Sequence, residues 1–171
     1  MSSIENQQLL LSDDQAGDRR RIRWLTGRWC PLYCIAESAP GKRWSDLCNP
    51  DGPGVYRLVA IDLIKLGILA VPLNRVCGID PSGTLYIGRS KSLRTRLSSL
   101  VRTHDPTKRI GAIFGASHIM MTKKLTKRFP PKCLAITWRR ADSASSSQTQ
   151  EATLLRDYKD SFGELPPMNA Q

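Results

Sequence analysis

No apolar run in this 171-residue chain reaches the ~18 residues that a membrane span requires. Met1 to Asp14 is polar apart from Leu9-Leu10-Leu11 and lacks both a basic leader and a cleavage site, so it does not read as a secretory signal. These two absences predict a cytoplasmic protein with no membrane partner. Histidine is scarce, with only His104 and His118. The cysteines are odd in number (Cys30, Cys34, Cys48, Cys77 and Cys133), which argues against a disulfide framework. Cys30 and Cys34 are close and Cys48 follows, but no fourth ligand stands at zinc-site spacing, so reduced, partly buried thiols are expected. No internal repeat is present. Acidic residues are outnumbered, 15 against 26 Lys+Arg, for a net charge of +11. That excess favours a polyanionic partner through phosphate neutralisation and counterion release. Nucleic acid is the leading candidate, because no strongly amphipathic basic helix is available to lie on an anionic membrane. Charge alone does not separate DNA from RNA.

Hydrophobic residues make up 40% of the chain, enough for one cored domain plus a short appendage. Residues 1–50 read as an N-terminal extension, polar and partly disordered at first, then rich in Trp and Arg. Trp24, Trp29 and Trp44 lie among basic residues such as Arg19, Arg20, Arg21, Arg23 and Arg28. They could stack on nucleic acid or pack the extension onto the main domain, and packing is the preferred reading. The breaker cluster Asn49-Pro50-Asp51-Gly52-Pro53-Gly54 marks a boundary, so 51–171 is read as the main domain.

Strands are expected over Val55–Ile61, Thr84–Gly88 and Cys133–Trp138. Leu63–Val76 is either an elaborated connection or another strand, and Asp80-Pro81-Ser82-Gly83 is a turn. A helix should follow Ser90 or Ser92, with Leu93, Leu97, Leu100 and Val101 at helical spacing. Residues 103–118 form a basic, glycine-containing stretch, and 119–128 suggest a short basic helix. Asp142–Thr149, rich in serine, reads as a loop before a last helix over Gln150–Phe162, ended by Gly163.

Both principal helices place a charge on the apolar stripe. Arg96 lies three residues after Leu93 and four before Leu100; Glu151 lies four before Leu155 and seven before Tyr158. Inward charges are costly unless paired or bound to metal. Periodicity leaves two readings open, a buried Arg96–Glu151 salt bridge or a catalytic arginine with a metal-binding glutamate.

Gly54-Val55-Tyr56 and Tyr86-Ile87-Gly88 resemble the two tripeptides that name the GIY-YIG nuclease superfamily. The resemblance continues in order: Arg89-Ser90-Lys91-Ser92-Leu93-Arg94-Thr95-Arg96-Leu97 is similar to the family's arginine-bearing helix. Glu151-Ala152-Thr153-Leu154-Leu155 is similar to its glutamate-bearing helix, and the tail ending in Met168-Asn169 to that of bacterial members. Residues 54–169 are covered. Val55 replaces the isoleucine of the name, and the 29 residues from Arg57 to Leu85 form a longer connection than the family's usual hairpin.

The resemblance implies an α/β (α+β) domain: a small three-stranded antiparallel sheet flanked by helices, carried behind the N-terminal extension. It implies DNA cleavage with one divalent cation, Mg2+ with Mn2+ as an alternative, held by Glu151. Arg96 would oppose charge building on the phosphoryl oxygens. Tyr56 would be the general base, helped by nearby cations because a free phenol ionises only near pH ~10. Tyr86 would orient water or phosphate, and Asn169 would act by hydrogen bonding. His118, ranked above His104, would assist with a proton or phosphate. Arg89, Lys91, Arg94, Lys123 and Lys124 would contact backbone phosphates. One metal centre would cut both strands only as a homodimer or by successive nicks. The alternative expectation is a nucleic-acid-binding module that keeps the fold without turnover.

Overall fold

Among the described residues the central strand carries the longest buried run, Gly54 to Ile61. The computed structural model describes residues 29–35, 50–64, 67–103 and 129–169. In chain order the elements are β1 (Tyr33–Cys34), β2 (Gly54–Ile64), β3 (Gly67–Ala70), β4 (Leu73–Arg75), β5 (Gly78–Asp80), β6 (Thr84–Ser90), α1 (Leu93–Thr103), a 3-10 turn (Pro131–Cys133), β7 (Leu134–Arg140) and α2 (Ala144–Phe162). The architecture is mixed α and β with antiparallel sheets. None of the described helices is long and apolar enough to cross a membrane.

β2 pairs with β7 on one side and with β6 over its first half on the other, while its last residues pair with β3. β1 adds outside β7. β4 and β5 form a separate two-stranded ribbon. Because successive strand residues face opposite ways, β2 feeds two cores. Tyr56, Leu58 and Ala60 pack with Leu93, Leu97 and Leu100 of α1. Val55 packs with Ile87 and with Leu154, Tyr158 and Phe162 of α2. The sheet is therefore covered by one helix on each face, which is why β2 is buried on both sides from Gly54 to Ile61, Arg57 included. The three buried leucines of α1 each contribute about 2 kcal/mol by leaving water.

The structure departs from the sequence reading in four places. The main sheet has five strands, not three: the three expected strands lie side by side as β6–β2–β7, and short β1 and β3 extend them. Residues 29–35, assigned by sequence to the extension, belong to this sheet, with Tyr33 opposite Ile136 and Cys34 opposite Ala135. The serine-rich stretch is helix, not loop. The Ser143 hydroxyl caps it by accepting the Ser146 N–H at 3.0 Å, and Ser147, fully buried, donates to the Ala144 carbonyl. Serine's weak propensity is overridden by that cap and by packing. At α1, Ser92 stands just before the helix and its carbonyl accepts the Arg96 N–H at 3.1 Å, but the Leu93 and Arg94 N–H groups donate to the Gly52 and Pro50 carbonyls rather than to a serine hydroxyl. The breaker cluster thus caps the helix as well as marking a boundary. Gly163 does end α2, in the left-handed conformation (φ 76°) with its N–H on the Lys159 carbonyl. Trp24, Trp44, Cys48, His104, His118, Lys123, Lys124, the disorder expected at the N-terminus and the basic helix over 119–128 lie outside the described residues.

Candidate active site

Tyr56 and Tyr86 come from neighbouring strands on the face that α1 covers. The register sets Tyr56 opposite Gly88 and Leu58 opposite Tyr86, so the two phenols are diagonal neighbours on one face. Their ring centroids lie 5.9 Å apart at a 40° tilt, and the hydroxyls share a hydrogen bond. Gly88 makes this possible. A Cβ there would stand 2.5 Å from the Tyr86 ring and 2.9 Å from the Tyr56 hydroxyl, so the rings close over the missing side chain. Gly54 is required for a related reason: a Cβ would collide with the Arg139 carbonyl and with Leu93 of α1. Both tripeptide glycines are therefore close-approach positions.

Burial pushes the Tyr56 hydroxyl far above the ordinary phenol range; the Tyr86 oxygen beside it and the negative Glu151 add to the rise, and Arg96 opposes it. Tyr86 is also raised, mainly by burial, with Glu151 adding and both its hydrogen bond with Tyr56 and Arg96 opposing. Both are neutral hydroxyls in this state. The general-base role expected of Tyr56 thus requires positive charge beyond that of Arg96.

Arg96 and Glu151 reach this place from opposite faces of the sheet. Arg96, on α1, is half-buried between the buried Leu93 and Leu100. Glu151, on α2, comes in at the β6 edge, where its carboxylate pairs with Arg89 at 3.0 Å. The Arg96–Glu151 salt bridge left open by periodicity is therefore not formed; the carboxylate's ion partner is Arg89. Desolvation raises the Glu151 carboxyl above the ordinary range, while the charge of Arg89 and its side-chain and backbone hydrogen bonds pull the other way. Arg89 was expected to touch phosphate, and here it holds the expected metal ligand.

Asn169 anchors the same edge. Its Oδ1 accepts the Ile87 N–H and its Nδ2 donates to the Ile87 carbonyl, both at 2.8 Å, and the Met168 N–H donates to the Leu85 carbonyl. The tail therefore continues the sheet beyond β6, stopping short of Arg89. Lys91 is exposed. Arg94 is exposed too, but its fork is engaged by Asp51, with one of the two contacts at 2.9 Å. Trp29 packs against the α2-side core, with the guanidinium groups of Arg57 and Arg139 4.6 and 5.2 Å from its ring centre. For this tryptophan the packing reading holds.

A group that sequence reasoning missed is buried Asp80. It accepts from the Ser82 N–H (2.8 Å), the Ser82 hydroxyl, the Thr84 N–H (3.0 Å) and the Tyr158 hydroxyl (3.0 Å). Thr84 in turn accepts from Arg57 at 3.0 Å. The only sequence sign was an aspartate opening a turn. Its long-range partner Tyr158 is legible only in three dimensions.

Among the described residues no three His, Cys, Asp or Glu side chains gather as a metal cage. The partly buried Glu151 carboxylate, within electrostatic reach of two phenols, suits a hydrated Mg2+ or Mn2+ that fills its shell with water and phosphate oxygens rather than protein ligands. The described cysteines Cys30, Cys34, Cys77 and Cys133 form no disulfide. Searches against protein-family models, curated proteins and solved structures gave no match to this chain.

Proposed function

We propose that the chain is a metal-dependent endonuclease of the GIY-YIG type that hydrolyses phosphodiester bonds in DNA. The observation that carries this reading is convergence. Tyr56, Tyr86, Arg96 and Glu151 come from two strands and two helices and are spread over about a hundred residues, yet the charges of Arg96 and Glu151 both act on both phenols. On this reading the strand trio β6–β2–β7 would correspond to the family's three-stranded nucleus, with β1, β3 and the β4–β5 ribbon as additions to it.

The roles follow from the chemistry of each group. Arg96, half-exposed beside the phenols, neutralises non-bridging oxygens and gains strength as charge builds there. Glu151 would hold the divalent cation, whose chemistry is Lewis acidity toward the phosphate. Tyr86 donates its hydroxyl to orient the attacking water or the phosphate. Tyr56 removes the proton once positive charge near the site offsets its burial. Asn169 keeps the β6 edge straight beneath the site. The basic residues Lys91, Lys123 and Lys124 supply phosphate contacts that position the duplex without reading sequence. With one centre per chain, double-strand cutting takes a homodimer or two nicks.

Supercoiled plasmid incubated with Mg2+ should be nicked by the protein, and Glu151→Ala and Arg96→Ala should each lower the rate by at least ~100-fold. Tyr56→Phe should fall in a similar range if it acts as the base. Absence of cleavage with either Mg2+ or Mn2+, together with tight binding of the plasmid, would sink the reading. The second reading is a binding module without turnover. It draws support from the Arg89–Glu151 pair, which neutralises the carboxylate, and from the raised phenol of Tyr56. It requires salt-sensitive binding that Glu151→Ala leaves unchanged, and competition between duplex DNA and structured RNA would identify its polymer.

A further inference from the structure

Glu151 has a cationic side chain of the protein where the nuclease reading places a metal ion. Arg89 follows Gly88 directly on β6, and strand alternation turns it away from Tyr56 and toward the α2 face, opposite Val55. There its Nε sits 3.0 Å from Glu151 Oε2, with the side chains 36% and 23% exposed. A single ion pair that water still reaches can exchange partners. A divalent cation arriving alone would thus have to displace Arg89, with a single carboxylate in return.

We propose that Arg89 is an exchangeable counter-ion of Glu151, so that divalent-cation capture at Glu151 depends on a nucleic-acid phosphate drawing Arg89 away. This rests on the reading of Glu151 as the metal-holding residue. The chemistry favours the exchange in that order. A guanidinium forks onto phosphate oxygens at least as well as onto a carboxylate. The incoming phosphate also supplies oxygens that a hydrated cation accepts. Phosphate and cation therefore favour each other's binding, and by linkage the coupling is reciprocal. Arg89 acts here through Glu151 and is a positioning residue, not a catalytic one.

The test measures Mn2+ binding by electron paramagnetic resonance, with and without a short phosphorothioate DNA duplex. Glu151→Ala with the same duplex gives the background from cations bound to DNA alone. The expected result is weak Mn2+ binding by the free wild-type protein, tightened about 10-fold by the duplex, a size common for coupled sites. In Arg89→Ala the free protein should bind Mn2+ several-fold more tightly than wild type, and the enhancement by the duplex should shrink to about 2-fold or less. Arg89→Gln, which keeps the side chain's bulk, should match Arg89→Ala, and thermal unfolding confirms that both fold. Unchanged Mn2+ affinity in the free Arg89 variants, or an undiminished duplex effect, overturns the exchange while leaving Glu151 as the ligand. Mn2+ uptake that Glu151→Ala does not alter overturns the metal reading of the site and the exchange with it.

Discussion

The side-chain amide of Asn169 pairs with the main chain of Ile87 as a strand residue would, accepting its N–H and donating to its carbonyl, each at 2.8 Å. A single side chain thus finishes the edge of the strand that carries Tyr86 and Gly88. An exposed strand edge is otherwise a template for pairing with another chain.

Asn169→Ala should remove both bonds and lower stability by about 1–2 kcal/mol, at roughly 0.5–1.5 kcal/mol per hydrogen bond. Asn169→Asp should lose more locally, because one carboxylate oxygen would face the Ile87 carbonyl without a proton between them. Hydrogen exchange at the Ile87 amide is the direct measurement. It should speed up in both variants, and unaltered protection would refute the anchoring role.

Gly88→Ala should be among the most damaging single-methyl additions in the domain. The new Cβ would meet the Tyr86 ring at 2.5 Å and the Tyr56 hydroxyl at 2.9 Å. Relief requires the rings to separate, at a cost of about 1–3 kcal/mol. Near-ultraviolet circular dichroism should register the change in tyrosine packing, and denaturant unfolding the loss of stability. A variant with native spectrum and midpoint would show that the rings have slack not evident in their packing.

Asp80→Ala should destabilise the fold by about 2–4 kcal/mol without touching the phenols. It strands the buried Tyr158 hydroxyl and the Thr84 N–H, groups that cost about 1–3 kcal/mol each when unsatisfied. Tyr158→Phe removes donor and bond together and should cost less. The comparison is read from urea midpoints at constant slope, and equal effects of the two variants would count against this account.

The pH dependence of Glu151 has a defined sign. Desolvation raises its folded-state carboxyl above the unfolded value. The protonated form is thereby favoured by folding, a contribution to stability that is present below the unfolded glutamate pKa, near ~4.3, and is lost as pH rises through the raised folded value. On the proposed metal-holding role, cation binding would need the carboxylate and should run the opposite way, appearing as pH rises through that same folded value. Arg89→Ala should move the transition to still higher pH, because Arg89 opposes the rise. Carbon-detected NMR titration of the Glu151 side chain measures both. A midpoint below that of a free glutamate would contradict the burial of this group.

Much of the layout could be read from residue pattern. The three central strands, α1 with its leucine stripe and the Gly163 stop of α2 were legible because each rests on local chemistry: β-branched runs, helical spacing, a residue suited to the left-handed region. The serine-rich start of α2 was misread because serine's local preference for turns is weak and was outweighed by the Ser143 cap and the burial of Ser147. β1 escaped notice because a two-residue strand has no period to detect.

By itself the sequence determined the candidate residues and their order: two glycine-flanked phenols, an arginine and a glutamate on helical stripes, an asparagine near the end, and a strong positive charge. Those are properties of single side chains and of their spacing along a few residues. Partnership was decided by tertiary structure, because it depends on strand register and on which sheet face each helix covers. That is why Glu151 meets Arg89 rather than Arg96, why Asn169 finds Ile87 across 82 positions of chain, and why Tyr56 sits too deep in the core to ionise as a free phenol does.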